Sequence, residues 1–291
     1  MAATTALARV RARRHIAVIP CRWGASRFPG KPLAMLGDKP MLWHVYQRCL
    51  EAKRLDDALV ATDDQRIEAA CQGLGIPCMM TGDYPTGTDR VAECASRLQG
   101  DAFINIQGDE PFIDPTAIDA VSEALTKLEA DVLAVNAFAA LDSATTATVL
   151  DHNTVKVVVD QCGNALMFSR QPIPYPRSGR ATYLRQLGLY AFTRAGLATF
   201  RNLEQGPLER AEGVEMLRLL EHGYHVRMVP VSDHGISVDT PEDLARAGAL
   251  LELGRTVTAG GALPSSSTPA PPDHRLEVIR MWASPEHDRR M

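Results

Sequence analysis

The loop that follows the first apolar segment concentrates groups that bind phosphate. The segment His15–Cys21 reads HIAVIPC, and the loop after it holds two glycines together with Arg22, Ser26, Arg27 and Lys31. Glycines let backbone amides approach a ligand, arginine binds phosphate oxygens in a bidentate manner, and lysine supplies a compact charge. The loop matches neither a Walker A motif nor Gly-x-Gly-x-x-Gly. Its composition predicts a polyphosphate site, and the alternative is a basic surface turn.

A second group of residues that could bind a ligand is the acidic pair Asp109 and Glu110. The pair lies in the segment Asn105–Pro111, which reads NIQGDEP. A predicted strand ends there, so the pair lies at the carboxyl edge of a parallel sheet, where ligands bind and where the phosphate loop also lies. Mg²⁺ prefers one or two carboxylates together with substrate phosphates and water. The pair predicts a magnesium site beside the phosphates, and the alternative is an acidic turn at a strand end.

A third segment, Val238–Leu244, reads VDTPEDL. Thr240 suits a helix N-cap, Pro241 the first helical position, and Asp243 can complete a capping box. These residues make a good helix start without any further role. The pattern alone therefore assigns no chemistry to Asp239, which precedes the cap.

The elements that position these loops alternate between strands and helices. Apolar runs and turn signals predict strands at His15–Cys21, Asp57–Thr62, Ile76–Met80, Ala102–Gln107 and Asp131–Ala137, and helices at Met41–Lys53, from near Asp64, at Asp89–Leu98 and around Pro115–Leu128. Such alternation predicts an α/β fold with a mostly parallel sheet covered on both faces.

The middle of the chain has a different pattern. Strand-like segments at Thr154–Asp160, Ala165–Ser169 and Arg185–Phe192 surround the proline-rich stretch Gln171–Arg177, which cannot be a helix or a central strand. We interpret residues of about 139–195 as a β-rich insertion on the same sheet. A helix from about Leu208 to His222, a strand at Tyr224–Val231 and the helix opening at Thr240 then complete the main fold.

Both ends differ in composition from the body. Residues 1–14 carry four arginines and no acid, which predicts a disordered basic arm, with an organelle transit peptide as the alternative. Residues 255–291 contain a Pro/Ser-rich stretch and are predicted to be a low-complexity linker and tail. The catalytic domain is therefore expected to span residues 15–254, and truncation after Gly254 should change neither stability nor activity.

The bulk composition restricts the class of protein. The chain has 291 residues, 45% hydrophobic and 23% charged, as in ordinary soluble globular proteins. The net charge of -4 argues against general nucleic-acid binding, and no apolar run approaches the ~20 residues of a membrane span. The six cysteines form no Cys-x-x-Cys pair, which predicts buried reduced thiols in a cytoplasmic protein.

Six motifs, in order, resemble those of the 3-deoxy-manno-octulosonate (Kdo) cytidylyltransferase family. They are the loop from Ile19 to Lys31 (IPCRWGASRFPGK), Val60–Asp63 (VATD), Thr86–Arg90 (TGTDR), Gln107–Pro111 (QGDEP), Phe168–Tyr175 (FSRQPIPY) and Val238–Leu244 (VDTPEDL). The resemblance covers residues of about 15–253 and leaves out both tails.

The resemblance implies a Rossmann-like nucleotide-diphospho-sugar transferase fold, a homodimer, and a reaction in lipopolysaccharide biosynthesis that transfers CMP from CTP to an acidic sugar with Mg²⁺. It also implies roles for individual residues. Arg22, Lys31 and Asp109 would be catalytic; Arg22, Ser26, Arg27 and Lys31 would hold the CTP phosphates; Thr86, Gly87 and Gln107 would lie near the cytosine and ribose; Asp109 and Asp239 would ligate Mg²⁺; and Arg170 would contact the sugar carboxylate.

Two positions on the sugar side depart from the family pattern. Gln186 stands where the family has histidine, and Met216 stands where it often has glutamine, whereas the neighbouring Glu215 is retained. We therefore expect Gln186, Glu215 and Met216 to face the sugar, and we expect an acceptor that differs from Kdo at one polar position.

Two other functions are alternatives. One is a CMP-sialic acid synthetase or another sugar nucleotidyltransferase of the same fold, which the Phe168–Tyr175 motif disfavours. The other is a nucleotide-binding regulator without turnover, which the presence of Lys31, Asp109 and Asp239 disfavours.

Overall fold

A computed structural model of the chain describes residues 13–24, 27–141, 146–177, 179, 181–232 and 236–259. Ser26, most of the predicted basic arm and the predicted tail beyond residue 259 lie outside the described residues. At the end of the predicted arm, the backbone N–H of Arg14 donates to Asp101 over 2.8 Å, and its side chain forms an ion pair with Asp57. Arg14 is therefore attached to the body.

The secondary structure follows the predicted alternation. The strands are β1 His15–Pro20, β2 Met35–Leu36, β3 Lys39–Pro40, β4 Asp57–Thr62, β5 Cys78–Met80, β6 Ala102–Ile106, β7 Val132–Ala140, β8 Lys156–Val159, β9 Ala165–Ser169, β10 Leu184–Thr193 and β11 His225–Pro230. The helices are α1 Met41–Glu51, α2 Gln65–Leu74, α3 Gly87–Arg97, α4 Pro115–Ala124, α5 Thr146–Leu150, α6 Arg194–Asn202, α7 Pro207–Glu212, α8 Leu217–Glu221 and α9 Pro241–Ala259.

The main sheet has the strand order β11-β7-β10-β6-β1-β4-β5. The pairs β1–β4, β1–β6, β4–β5 and β7–β11 are parallel, whereas β10 runs antiparallel to both β6 and β7. Strands β8 and β9 pair with each other, and β8 also pairs with β10. The fold is thus α/β with a mostly parallel central sheet, and the predicted β-rich insertion joins it through β10.

Strand β1 shows why the first apolar run lies at the centre. All six of its residues are buried, because helices cover both faces of the sheet. Ala17 and Ile19 pack with α1, α2 and α4 on one face, and Ile16 and Val18 pack with α3, α6 and α8 on the other. The carboxyl ends of β1, β4 and β6 consequently meet at one edge of the sheet.

The single helix predicted from Leu208 to His222 is wrong. The structure has two short helices, α7 and α8, because Gly213 adopts a left-handed conformation with φ of 63° and ends α7. Helix α6, which was not predicted, is capped by Thr193, whose side chain accepts a hydrogen bond from the Gly196 N–H.

Two further sequence expectations can be compared with the structure. All six cysteines are free thiols, but Cys162 is exposed and Cys78 is only partly buried, so the expectation of buried thiols is wrong for these two. Helix α9 begins at Pro241 as predicted and continues past Gly254 to Ala259. In the described part of the chain, no helix combines the length and the apolar character that crossing a membrane requires.

Candidate active site

A cavity of about 1280 Å³ lies at the edge of the sheet where β1 and β6 end. Its wall also includes the start of α3, the start of β10, the junction of α7 and α8, and the start of α9. The cavity brings together eleven of the thirteen residues predicted from the sequence, namely Arg22, Arg27, Lys31, Thr86, Gly87, Gln107, Asp109, Arg170, Gln186, Glu215 and Asp239. Of the other two, Ser26 lies outside the described residues and Met216 lies elsewhere.

Lys31 joins the two carboxylates that the sequence placed at a metal site. Its Nζ lies 2.8 Å from Asp109 Oδ2 and 3.1 Å from Asp239 Oδ1. Desolvation by itself lowers the pKa of Lys31, but the charges and hydrogen bonds of the two carboxylates outweigh it and raise that pKa above its ordinary value. Lys31 therefore remains a cation, fixed between two anions that are 208 and 78 residues away in sequence.

The same carboxylates form a donor set that suits Mg²⁺. They converge on one cationic group, and the Val238 N–H donates to the Asp109 carbonyl over 2.9 Å, which ties the two segments together. Among the described residues, no group of three or more histidine, cysteine, aspartate or glutamate side chains is arranged so that it could hold a metal ion by itself. Because Mg²⁺ takes only one or two protein carboxylates when substrate phosphates complete its shell, Asp109 and Asp239 fit this ion.

Arg27 extends the cationic loop toward the opposite wall of the cavity. It lies 3.3 Å from Asp239 Oδ2 and also hydrogen-bonds Asn153, which follows α5. Gly30, which has φ of 73°, packs against Trp23, and an added Cβ would lie 3.0 Å from the indole ring. A larger residue at position 30 would therefore strain the backbone and crowd the indole ring, so this conformation of the loop favours glycine there.

The turn that opens α3 forms the floor of the cavity. Thr86 caps the helix by accepting from the Asp89 N–H over 3.1 Å, and its hydroxyl donates to Asp89 Oδ2 over 2.7 Å. At Gly87 an added Cβ would lie 3.1 Å from both Pro20 and the Gln107 amide. Glycine therefore allows the backbone to approach Gln107 closely.

A buried ion cluster, which the sequence analysis missed, lies beneath this turn. The Arg218 side chain is 2% exposed and donates bidentately to Asp89 over 2.7 and 3.0 Å and to Glu209 over 2.8 Å. Burial disfavours the charged guanidinium, but its hydrogen bonds to Glu209 and Asp89 raise the pKa of Arg218 above its ordinary value. The cluster links the Thr86 turn to α7 and α8, across 129 residues of sequence.

Glu215 lies between α7 and α8 and lines the cavity next to the start of α3. It accepts from the Thr88 N–H at the start of α3 over 3.0 Å and from the Gln107 side chain over 3.3 Å. Desolvation raises the pKa of Glu215, and the hydrogen bond from Thr88 only partly opposes that shift. These hydrogen bonds fix the Glu215 carboxyl group to both the start of α3 and the Gln107 side chain.

On the other side of the cavity, the Arg170 side chain is held by backbone carbonyls. Its Nε donates to the Glu212 carbonyl over 2.6 Å, and its Nη1 donates to the His152 carbonyl over 2.9 Å. The remaining nitrogen, Nη2, lies beside Gly213 on the cavity wall. Arg170 thus presents a fixed planar cation at the cavity wall, which suits a carboxylate.

Gln186 is oriented by a buried asparagine. The Asn136 amide nitrogen donates to the carbonyls of Leu187 and Leu189, each over 2.9 Å, where β10 shifts register against β7. Asn136 Oδ1 must therefore be an acceptor, and Gln186 Nε2 donates to it over 2.9 Å. The side-chain oxygen of Gln186, Oε1, is therefore the atom of this amide that can accept a hydrogen bond from a ligand.

Met216 does not line the cavity, so the prediction that it faces the sugar is wrong. Its side chain has no exposed surface and packs with Leu217, Leu219 and Phe200 in the core behind the cavity. The break at Gly213 turns α8 so that Glu215 faces the cavity and the next residue faces inward. The sequence comparison identified the position but could not give the direction of its side chain.

Several cavity residues had no role in the sequence analysis. Arg90 is nearly buried, 3.1 Å from Asp63, and Arg185 lies 4.0 Å from Glu110. The buried Tyr190 also lines the cavity. Arg90 and Asp63 belong to the TGTDR and VATD motifs, so their recurrence in matched motifs was the signal that could have identified them.

The comparisons with known proteins agree with this geometry. The cytidylyltransferase family model matches residues 16–228. A 3-deoxy-manno-octulosonate cytidylyltransferase of Anaeromyxobacter dehalogenans (strain 2CP-1 / ATCC BAA-258) is 48% identical over 247 residues, which cover 83% of this chain and 99% of that protein. The Escherichia coli 3-deoxy-manno-octulosonate cytidylyltransferase is 40% identical over 240 residues, which cover 82% of this chain and 96% of that protein.

Solved structures show the same relationship. A CMP:2-keto-3-deoxy-manno-octonic acid synthetase complexed with CTP matches with a TM-score of 0.77 and 39% identity, covering 83% of this chain and 99% of that one. A cytidylyltransferase from Leptospira borgpetersenii serovar Hardjo-bovis (strain JB197) matches with a TM-score of 0.54 and 14% identity, covering 87% and 100%, and supports the fold alone. This chain therefore belongs to the cytidylyltransferase family of nucleotidyltransferases and groups with its 3-deoxy-manno-octulosonate cytidylyltransferases.

Proposed function

We propose that this enzyme transfers CMP from CTP to the anomeric hydroxyl of Kdo or a Kdo-like 2-keto-3-deoxy sugar acid. The names of its relatives and the CTP bound by a structural relative support this assignment. The single observation that carries it is the position of Lys31 between Asp109 and Asp239 in a cavity that Arg22 and Arg27 also line.

The reaction is an in-line displacement at phosphorus. The anomeric oxygen forms a bond to the α-phosphorus of CTP, and the bond between that phosphorus and the oxygen bridging to the β-phosphate breaks. The hydroxyl proton passes to solvent, and pyrophosphate is released as the second product. Positioning and charge stabilisation dominate such transfers. Lys31, Arg22 and Arg27 are the cations that would bind the triphosphate and stabilise its developing charge.

Asp109 and Asp239 would hold Mg²⁺. When bound, the ion supplies positive charge that neutralises phosphate oxygens and favours departure of pyrophosphate. Lys31 already lies between the two carboxylates, so they are oriented toward the position where a cation is needed. The cation site thus lies next to the side chains proposed to bind phosphate.

Different parts of the cavity would bind the nucleotide and the sugar. Thr86, Gly87 and Gln107 would contact the cytosine and ribose, because they form the floor next to the phosphate loop. Arg170 and Gln186 would contact the acidic sugar from the opposite wall, with Arg170 directed at its carboxylate. Glu215, held by Gln107, lies between the two groups and would accept hydrogen bonds from hydroxyls.

We also propose that the enzyme is a homodimer and that it supplies an activated sugar for lipopolysaccharide biosynthesis. The β-rich insertion carries exposed apolar side chains, among them Leu166 and Tyr175 with 62% and 85% of their surface accessible. Such side chains are suited to a subunit interface. A cytoplasmic location and the absence of a nucleic-acid partner stay predictions.

An acceptor screen tests the proposed function. Pyrophosphate release from CTP would be measured with Kdo, amino-Kdo analogues and sialic acids, each at saturating Mg²⁺. Turnover confined to Kdo or its analogues supports the proposal, and preference for sialic acid would favour the CMP-sialic acid alternative. CTP binding without turnover on any acceptor would identify a regulator instead.

A further inference from the structure

A fully buried lysine lies behind the sugar side of the cavity. Lys156 is the first residue of β8, and its side chain has no exposed surface. Burial lowers the pKa of Lys156, and the charge of Asp151 only partly offsets that shift. Because an ammonium group is costly to bury, its three N–H donors must be satisfied by the surrounding structure.

Backbone carbonyls provide three acceptors. Lys156 Nζ donates to the Asp151 carbonyl over 3.0 Å and to the Thr154 and Arg170 carbonyls over 2.6 Å each. An ammonium group has three donors, so these contacts use its full capacity. Lys156 thereby joins the segment 151–154 to the residue that follows β9.

The same segment also orients the Arg170 side chain. The His152 carbonyl, which lies along the chain between the Asp151 and Thr154 carbonyls bound by Lys156, accepts from Arg170 Nη1 over 2.9 Å. Lys156 thus fixes the main chain of Arg170 and, at the same time, the loop that directs its guanidinium. The Glu212 carbonyl completes the arrangement by accepting from Arg170 Nε.

We propose that Lys156 is a positioning residue that holds the Arg170 guanidinium in the direction required to bind the carboxylate of the acidic sugar. The inference rests on the proposed function, since it assumes that Arg170 contacts that carboxylate. Lys156 itself has no exposed surface and touches no substrate. Its loss should therefore act on the acceptor through Arg170, and much less on CTP.

Steady-state kinetics of Lys156→Met tests this inference. The KM for the acceptor should rise by about tenfold or more, the scale of effect when a group supporting a binding residue is lost. The KM for CTP should change much less than the KM for the acceptor. Lys127→Met is the matched control, because Lys127 is 71% exposed and pairs only with Glu123 among the described ion pairs; it should leave both constants unchanged.

A double-mutant cycle distinguishes positioning from general damage. In the Arg170→Ala background, Lys156→Met should add little to the acceptor KM, because the side chain that it positions is already gone. If the two effects on the acceptor KM multiply, Lys156 does not act through Arg170 and the proposal is wrong. A lowered melting temperature with an unchanged acceptor KM would likewise show that Lys156 has only a structural role and that the proposal is wrong.

Two outcomes concern folding and the basal reaction. If Lys156→Met does not fold, Lys156→Gln, which keeps two N–H donors, undergoes the same measurements, and failure of both variants to fold would overturn the proposal in favour of a purely structural role. If the wild type transfers no CMP to any acid sugar, the proposed function has failed. If the wild type is active and the variants keep its acceptor KM, only the positioning inference has failed.

Discussion

Lys31 Nζ and Asp109 Oδ2 lie 2.8 Å apart, and this contact joins the phosphate loop after β1 to the carboxylate after β6. It brings together a cation suited to phosphate and an anion suited to Mg²⁺ at the edge of the sheet where parallel strands end. Asp239 approaches the same lysine from the start of α9. Both carboxylates are consequently held in place by a group that would itself contact the substrate.

Replacement of either carboxylate should remove activity without unfolding the protein. Asp109→Ala should nearly abolish pyrophosphate release at saturating Mg²⁺. Asp239→Ala should do the same with little loss of stability, because the cap of α9 is made by Thr240 and Asp243. Glu51→Ala, on the exposed end of α1, is the control. Near-normal turnover in either variant would show that its metal assignment is wrong.

Lys31→Met should lower kcat by about a hundredfold or more, the scale seen when one preorganised charge-stabilising group is removed. It should also leave Asp109 and Asp239 repelling each other, so Mg²⁺ should raise the melting temperature more in this variant than in the wild type. Thermal shifts with and without Mg²⁺ measure the second effect, with Lys53→Met as the exposed control. A change confined to KM would mean that Lys31 stabilises the bound substrate and the transition state equally.

Gln186→His should raise kcat/KM for Kdo by about tenfold, because histidine restores the family residue at a position where one hydrogen bond is worth ~1–3 kcal/mol. Met216→Gln, which would restore the second family residue, should instead destabilise the core, since an amide at this fully buried position would lack a hydrogen-bond partner. Gln171→His, on an exposed loop residue, is the control. If the wild type uses Kdo as efficiently as Gln186→His and no analogue better, the altered specificity is absent.

The contribution of Glu215 to the free energy of unfolding should fall as the pH rises. Its pKa is raised in the folded protein, so the folded state holds more protons than the unfolded state between the ordinary pKa of 4.5 and the raised value. Stability from this group is therefore present at low pH and is lost through that window. The difference in melting temperature between Glu215→Gln and the wild type should shift in favour of the variant from pH 4 to pH 8. A constant difference would contradict the raised pKa.

The parts of the site that follow strand ends were predictable from the sequence. Lys31 and Asp109 each occur in a loop next to an identifiable strand, whereas Asp239 was assigned to the site only through the resemblance of its motif. Parallel strands carry such segments to one edge of the sheet regardless of their separation in sequence. The strand order places β1 beside β6, and this confirms the expectation that the phosphate loop and Asp109 are neighbours.

The residues that support the site could not be recognised in the same way. Arg218 and Asp89 pair across 129 residues, and a charged side chain within a predicted helix gives no sign in the sequence that it is buried. From the sequence, Lys156 would be expected to be exposed, as most lysines are. Its burial depends on three carbonyls that β9 and a loop bring together. The direction of Met216 depended on the left-handed turn at Gly213, which an apparently continuous helical pattern concealed.

The most direct test of the central claim is pyrophosphate release by the wild-type enzyme with Kdo and Mg²⁺, compared between CTP, ATP and GTP and repeated without acceptor. We predict acceptor-dependent release with CTP, together with a CMP–sugar product of the corresponding mass, and far slower release with ATP or GTP. Comparable turnover with ATP, or release from CTP that does not depend on an acid sugar, would contradict it.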